Sequence, residues 1–164
     1  MIDNYIQIKE KNTIILGIKD KEGNDTGEVL KFQMNDINLP LRYQELLEKD
    51  KRNKTELRNQ LLIIDKRQDV KGKKLMSKNE EDKIKALNDF FKKETEVYNM
   101  FLGENGVQKL LNGRKLGWTS LQEIDEIITK QVAPYLDLNM TKITEKVKKK
   151  YGIPETKEEV EVLE

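Results

Sequence analysis

The strongest constraint on the fold is the stretch from Ser77 to Arg114. Ser77 and Glu80 have the spacing of a capping box, in which each side chain accepts a hydrogen bond from the other residue's backbone N–H, so a helix is predicted to begin here. Apolar residues then recur at steps of three, four and seven up to position 101, as on one buried helical stripe. Gly103 is predicted to end the helix, because glycine adopts a positive φ at low steric cost. The expected stripe consists of Ile84, Leu87, Phe91, Tyr98 and Phe101.

Composition limits the chemistry that the chain can perform. Of its 164 residues, 36% are hydrophobic and 37% are charged, which indicates one domain with a thin core under an ionic surface. The formal net charge of +1 argues against the strong positive field of a dedicated duplex-binding protein. The absence of cysteine and histidine removes thiolate chemistry, the commonest metal ligand and the usual general base. We therefore expect no catalytic residues, no cofactor and no metal.

The sequence also bears on location. No apolar run approaches the roughly 20 residues needed to cross a bilayer, and residues 1–4 lack the basic and apolar regions of a secretion signal. We therefore expect a cytoplasmic protein without a membrane partner.

The N-terminal quarter is predicted to form a β-hairpin. Residues 13–19 are rich in β-branched side chains and residues 28–34 alternate loosely, while residues 20–27 have the composition of a turn. Tyr5, Ile6 and Ile8 are candidates for a third strand. Because a two-stranded hairpin is marginal alone, we expect it to pack on a helix or to pair with the edge of another chain.

A long helix is expected to follow, with Asp36 or Asn38 as its cap and Pro40 in its first turn. The interval 48–54 is charged and has two interpretations, a solvated middle of the helix or a pivot. Residues 66–74 are predicted to form a flexible polar connector. The apolar stripe of this helix consists of Leu39, Tyr43, Leu46, Leu47, Leu57, Leu61 and Ile64.

The C-terminal third is predicted to contain two helices. Thr119 and Gln122 have capping-box spacing, and Pro134 is expected to end or kink the helix that starts there. Asn139 or Thr141 is the expected cap of a last helix that ends at Gly152. One face of the first of these helices carries Leu121, Ile124, Ile128 and Val132, and one side of the last carries Ile143 and Val147.

These elements predict a mostly α-helical α+β protein, in which an N-terminal β-hairpin precedes a bundle of about four helices. We expect a hairpin region at 1–38, a helical region at 39–152 that packs with it as one domain, and an acidic, flexible tail at 153–164.

Several clusters have both a structural and a functional interpretation. The adjacent acids at 80–82 fit the first turn of a helix better than a magnesium site, since neighbouring residues on a helix diverge. The glycine-rich segments at 103–106 and 112–115 fit helix punctuation better than phosphate binding. The lysines at 146–150 and 71–74 fit a helix end and a linker better than a nucleic-acid contact.

Binding to another protein is the function class that remains. Trp118 is expected either to pack the preceding loop onto its helix or to be a hot spot of an interface. The candidate partner-binding residues are Tyr43, Leu47, Leu57, Leu61 and Trp118.

The central stretch also resembles a known group of proteins. Phe90-Phe91, Val97-Tyr98, the segment 101–106 and the segment 109–114 are similar to motifs in small proteins encoded in the tail modules of long-tailed bacteriophages and prophages. Those proteins are identified as tail assembly chaperones or uncharacterised phage proteins. This chain differs from them by the insertion of Leu102 and Asn105 into the turn.

The resemblance implies a non-enzymatic role. Such proteins are similar to factors that coat the helical, hydrophobic tape measure protein, recruit tail tube subunits and are absent from the finished virion. It also implies a frameshifted longer product, for which the lysines at 148–150 are compatible with a slippery adenine tract. Self-association is a further possibility. The alternatives are another structural or connector protein of the phage, a small nucleic-acid-binding regulator or, least supported by any motif, an enzyme.

Overall fold

The computed structural model describes residues 13–152, apart from the side chains of residues 137–140 and 143. A two-stranded antiparallel hairpin leads into five α-helices, so the predicted mostly helical α+β class is confirmed. The strands are β1 (Thr13–Lys19) and β2 (Asp25–Gln33). The helices are α1 (Leu39–Asp65), α2 (Lys78–Leu102), α3 (Gly106–Leu111), α4 (Trp118–Ile127) and α5 (Ala133–Tyr151).

The hairpin confirms the two predicted strands. Thr13 pairs with Gln33 and Leu16 with Leu30, and the register shifts between Gly17 and Lys19. The second strand begins at Asp25, three residues earlier than the sequence pattern indicated. The turn is stabilised locally, because Asn24 donates its backbone N–H to Oδ1 of Asp20 at 2.8 Å. The proposed third strand at positions 5–8 and the acidic tail lie outside the described residues.

Helices α1 and α2 run antiparallel and pack along most of their length. The predicted capping box is confirmed, because Ser77 donates its N–H to Glu80 at 2.7 Å and Glu80 donates its N–H to Ser77 Oγ at 3.2 Å. Asn38 occupies the N-cap position of α1 without a side-chain cap bond, and Pro40 lies in the first turn as predicted. The connector between the helices is attached to α2, because the Asn79 side chain donates to the carbonyl oxygens of Ile64 and Arg67.

A tight turn joins α2 to α3. Gly103 ends α2 with φ of 98°, as the sequence indicated. Gly106 is required for a steric reason, since a Cβ at this position would lie 2.5 Å from the Cβ of Leu102. The turn therefore brings the start of α3 against the end of α2 more closely than a side chain would allow.

The C-terminal third departs from the prediction in two places. Helix α4 starts at Trp118 with Gly117 as its N-cap, so the predicted cap at Thr119 is wrong. The interruption expected near Pro134 takes the form of a π-turn at Ile128–Val132, which separates α4 from α5, and Pro134 lies in the first turn of α5. No new helix begins at Asn139 or Thr141, since both lie inside α5, which does end at Gly152. The widened π-turn provides the break in the α-helical hydrogen bonds that a proline requires.

One apolar core joins the hairpin to the helices. Phe101 of α2 stacks near Phe32 of β2 and Tyr43 of α1, with ring centroids 5.6 and 5.5 Å apart. The predicted stripe of α2 is correct at Tyr98 and Phe101 but wrong at Ile84, which is 45% exposed. Leu87 and Phe91 are partly buried, and the fully buried face is shifted by about one residue to Ala86, Phe90, Glu94, Tyr98 and Phe101.

Candidate partner-binding groove and buried carboxyl pair

An open groove runs between the N-terminal half of α1 and the segment where the π-turn meets α5. It has a volume of about 440 Å³, which is in the size range of ligand-binding clefts. None of its lining residues carries a charge, although 37% of the chain is charged. The lining consists of Pro40, Tyr43, Gln44, Leu47, Thr129, Ala133, Pro134 and Leu136.

Two helix starts and the π-turn form this groove. Pro40 and Pro134 both lie in the first turn of their helices, where the missing N–H costs no intrahelical bond. The π-turn places Thr129 and Ala133 on the groove wall opposite Tyr43 and Leu47. The result is a short uncharged groove between the starts of α1 and α5.

The structure brings together two of the five candidate partner-binding residues and separates the other three. Tyr43 is partly buried, whereas Leu47 is 50% exposed, and both line the groove. Leu57 is 5% exposed and belongs to the core, so its side chain offers no surface to a partner in this conformation. Leu61 is partly buried against the same core.

Trp118, the fifth candidate, lies apart from the groove and has the expected packing role. Its ring packs against Phe90 and Phe91 of α2, with centroids 5.1 and 5.3 Å apart. Nevertheless 48% of the residue is exposed. The tryptophan therefore fixes the start of α4 on α2 and also presents an apolar face to solvent.

A buried acidic residue, which the sequence pattern did not reveal, occupies the middle of the α1–α2 interface. Glu94 is 0% exposed and its Oε1 accepts a hydrogen bond from Nδ2 of Asn53 at 2.7 Å. Within residues 13–152, no side-chain or backbone donor reaches its Oε2. A buried polar atom without a hydrogen-bond partner lowers the stability of the folded protein.

The missing partner is the carboxyl group of Asp50 on α1. The Glu94 and Asp50 side chains lie within hydrogen-bonding reach of each other. Lys54 Nζ lies 2.8 Å from an Asp50 oxygen, and the Asp50 side chain is only 16% exposed. The charged interval of α1 is therefore not simply a solvated surface, because Asp50, Asn53 and Lys54 turn toward a polar layer in the interface.

Tyr98 extends this layer toward α4. Its hydroxyl donates a short hydrogen bond to Oδ1 of Asp125, and the residue is 1% exposed. Burial raises the pKa of the Tyr98 phenol, and the hydrogen bond to Asp125 raises it further. Tyr98 is consequently a neutral hydrogen-bond donor at neutral pH.

Burial also governs the ionisation of Glu94. Desolvation raises the pKa of its carboxyl group to about 8, and the hydrogen bond and negative charge of Asp50 act in the same direction. The Asn53 hydrogen bond and the charge of Lys54 oppose this shift. Glu94 is therefore predominantly protonated at neutral pH.

One signal in the sequence points to this site. Phe90, Glu94 and Tyr98 are spaced four residues apart, which places the glutamate between two large aromatic residues on one helical face. An acid at the centre of an apolar stripe is unusual, because carboxylates are seldom fully buried without a partner. The partner on α1 is a tertiary contact that no local pattern specifies.

Other concave regions differ from the groove in their chemistry. A cavity of about 300 Å³ beside the α1–α2 interface is lined by several charged residues, among them Glu56, Asp89 and Lys93. A third, of about 420 Å³, lies between β1 and the residues Leu110 and Ile127. In the part of the chain that the structure describes, no three acidic side chains are grouped as a metal would need.

Among the helices between residues 13 and 152, none has both the length and the apolar character needed to span a bilayer. No protein-family model, curated protein or solved structure matches the chain.

Proposed function

We propose that this chain is a non-enzymatic tail assembly chaperone of a phage or prophage, which binds an apolar helical segment of the tape measure protein and helps to recruit tail tube protein. The observation that carries the proposal is the uncharged groove between α1 and α5. The partner class is taken from the resemblance of the central stretch to small tail-module proteins.

The chemistry of the groove suits an apolar helix. A helix that docks in a groove inserts side chains spaced three, four and seven residues apart, and such recognition relies on burial of apolar surface. Leu47 is half exposed and would be covered by such a ligand, with a gain of about 25 cal/mol for each Å² removed from water. Gln44 and Thr129 supply polar groups at the groove for the partner's side chains.

The absence of charge in the groove favours this occupant over a nucleic acid. Phosphate binding requires lysine or arginine at the contact, and the groove lining has neither. The lysines at 148–150 lie at the last turn of α5, where they complement the helix dipole. Salt-sensitive binding of the wild-type protein to DNA or RNA would favour the alternative of a nucleic-acid-binding regulator.

The test is co-purification from phage-producing cells, followed by mass spectrometry of the captured proteins and of purified virions. Wild-type protein is expected to capture tape measure or tube protein and to be missing from virions. Leu47→Asp is expected to reduce capture at least tenfold, because it places a carboxylate in the apolar groove. Leu62→Asp is the matched control, since Leu62 is 47% exposed on the same helix and does not line the groove.

Two results would contradict the proposal. Equal capture of tape measure or tube protein by Leu47→Asp and Leu62→Asp would show that the groove is not the binding site. Presence of the chain in purified virions would favour a structural or connector protein instead.

A further inference from the structure

Two buried oxygens in the polar layer between α1 and α2, Glu94 Oε2 and Asp50 Oδ1, have no hydrogen-bond partner among the described residues. Glu94 Oε1 is satisfied by Asn53, and Lys54 approaches the Asp50 carboxyl at 2.8 Å. Glu94 Oε2 remains without a donor from any described residue, yet the residue is 0% exposed. A hydrogen bond between two carboxyl groups exists only if one of them is protonated, because two carboxylates are both acceptors.

We propose that Glu94 and Asp50 form one protonation site, in which a proton on Oε2 of Glu94 is donated to the Asp50 carboxylate and fastens α2 to α1. Oε2 then needs no donor, because it is itself the donor. The Lys54 ammonium group lies 2.8 Å from an oxygen of the Asp50 carboxyl group that accepts this hydrogen bond. Like-charge repulsion between the two carboxyl groups disfavours the ionisation of both together.

The polar and charged groups that face Glu94 and Asp50 from the neighbouring helices agree with a proton on Glu94. On α1 they are Asp50, Asn53 and Lys54, and on α2 the neighbouring polar residue is Tyr98. Helix α4 contributes Asp125, which accepts a hydrogen bond from the Tyr98 hydroxyl. Lys54 is the only cation among these groups and is already engaged with Asp50, so a second buried negative charge on Glu94 would lack a counterion.

The proton makes the free energy of unfolding depend on pH. The pKa of Glu94 is about 8 in the folded protein and near 4.5 in the unfolded chain, so the folded state binds more protons between these values. The stabilising contribution is fully present below about pH 4.5 and is lost as the pH rises toward 8. The chain has no histidine, the side chain that ordinarily titrates within this window.

The experiment measures unfolding of the full chain by denaturant at pH 5.5, 6.5 and 7.5. In the wild-type protein, the unfolding equilibrium constant is expected to increase about tenfold for each pH unit, because one proton is released on unfolding. Glu94→Gln is expected to abolish this dependence, because an amide accepts from Asn53 and donates to Asp50 at every pH. Glu96→Gln, at an exposed position of the same helix, is the control and is expected to retain it.

A second variant distinguishes a proton shared between Glu94 and Asp50 from a pKa that is raised only by the burial of Glu94. Asp50→Asn supplies an amide N–H to Glu94 Oε2, so the proton is no longer needed and the pH dependence is expected to fall well below tenfold per unit. Full pH dependence in Asp50→Asn would overturn the shared site. Equal slopes for the wild type and Glu94→Gln would overturn it as well.

A spectroscopic measurement covers the case in which a variant does not fold. The carboxyl carbon of Glu94 in the wild-type protein, followed by NMR, is expected to have the shift of a protonated acid at pH 6.5. Titration of that carbon in the ordinary glutamate range, near pH 4.3, would overturn the proposal.

Discussion

Helix α1 packs differently on its two sides. One side stabilises the fold, and the other leaves apolar surface accessible to a partner. Along α2 it is closed, with apolar layers around Phe101 and Leu57 and a buried acid pair between them. Toward the π-turn and α5 it leaves the uncharged groove next to Tyr43 and Leu47. One side thus holds the helical hairpin together, whereas the other keeps apolar surface available to a partner.

The largest expected effect is in an apolar layer of the closed side. Phe90→Ala should lower the free energy of unfolding by about 3–5 kcal/mol, because Phe90 is 3% exposed and its removal leaves a cavity. Phe91→Ala, its neighbour, should cost clearly less, since Phe91 is only partly buried. Denaturant unfolding of both variants makes the comparison, and equal losses would contradict the assigned core face of α2.

The acid pair should account for the next largest effect. Asn53→Ala removes the donor to Glu94 Oε1 and is expected to cost about 1–3 kcal/mol, the range for a buried polar group left without its partner. Asn59→Ala is the control, since Asn59 is exposed on the same helix. Thermal or denaturant unfolding measures both, and no difference between them would show that Asn53 does not stabilise the polar layer.

The start of α2 should contribute a smaller amount. Ser77→Ala removes the cap of α2 and is expected to cost about 1 kcal/mol. Thr119→Ala should change stability by less than about 0.5 kcal/mol, because Thr119 follows the actual N-cap, Gly117. A larger loss in the Thr119 variant than in the Ser77 variant, measured by thermal unfolding, would contradict the observed start of α4.

The smallest effect on stability is expected on the open side. Leu47→Asp should change the free energy of unfolding by no more than about 0.5 kcal/mol, because its side chain is half exposed and packs on little. A loss above 2 kcal/mol in denaturant unfolding would mean that Leu47 belongs to the core. The reduced capture expected for this variant would then not distinguish binding from folding.

The same contrast separates what the sequence predicts from what it does not. The β1 strand, the Ser77 cap and the end of α2 at Gly103 follow from residues within a few positions of one another, and all three are confirmed. The start of α4 was misplaced, because the Ser120 hydroxyl accepts from the Gly117 N–H and replaces the expected Thr119 box. The break before Pro134 follows from the proline, but its form as a π-turn has no comparable sequence signal.

The candidate sites show more clearly which features a local sequence pattern does not predict. Tyr43 and Leu47 were predicted from an apolar stripe, but the groove also needs Ala133 and Pro134, which come from α5 across the fold. Glu94 was missed because the predicted stripe was drawn through Leu87 and Phe91, one position away from the buried face. Its pairing with Asp50 joins residues 44 positions apart, beyond the reach of helical periodicity.

The most direct test of the proposed function is site-specific photo-crosslinking in phage-producing cells. A photoreactive phenylalanine analogue placed at Leu47 faces the groove, whereas the same analogue at Leu62 faces solvent on the same helix. We predict that position 47 yields a crosslinked product with the tape measure protein and that position 62 does not. A product at position 62 alone, or none at either position while the protein is folded and expressed, would contradict the assignment of the groove as the partner-binding site.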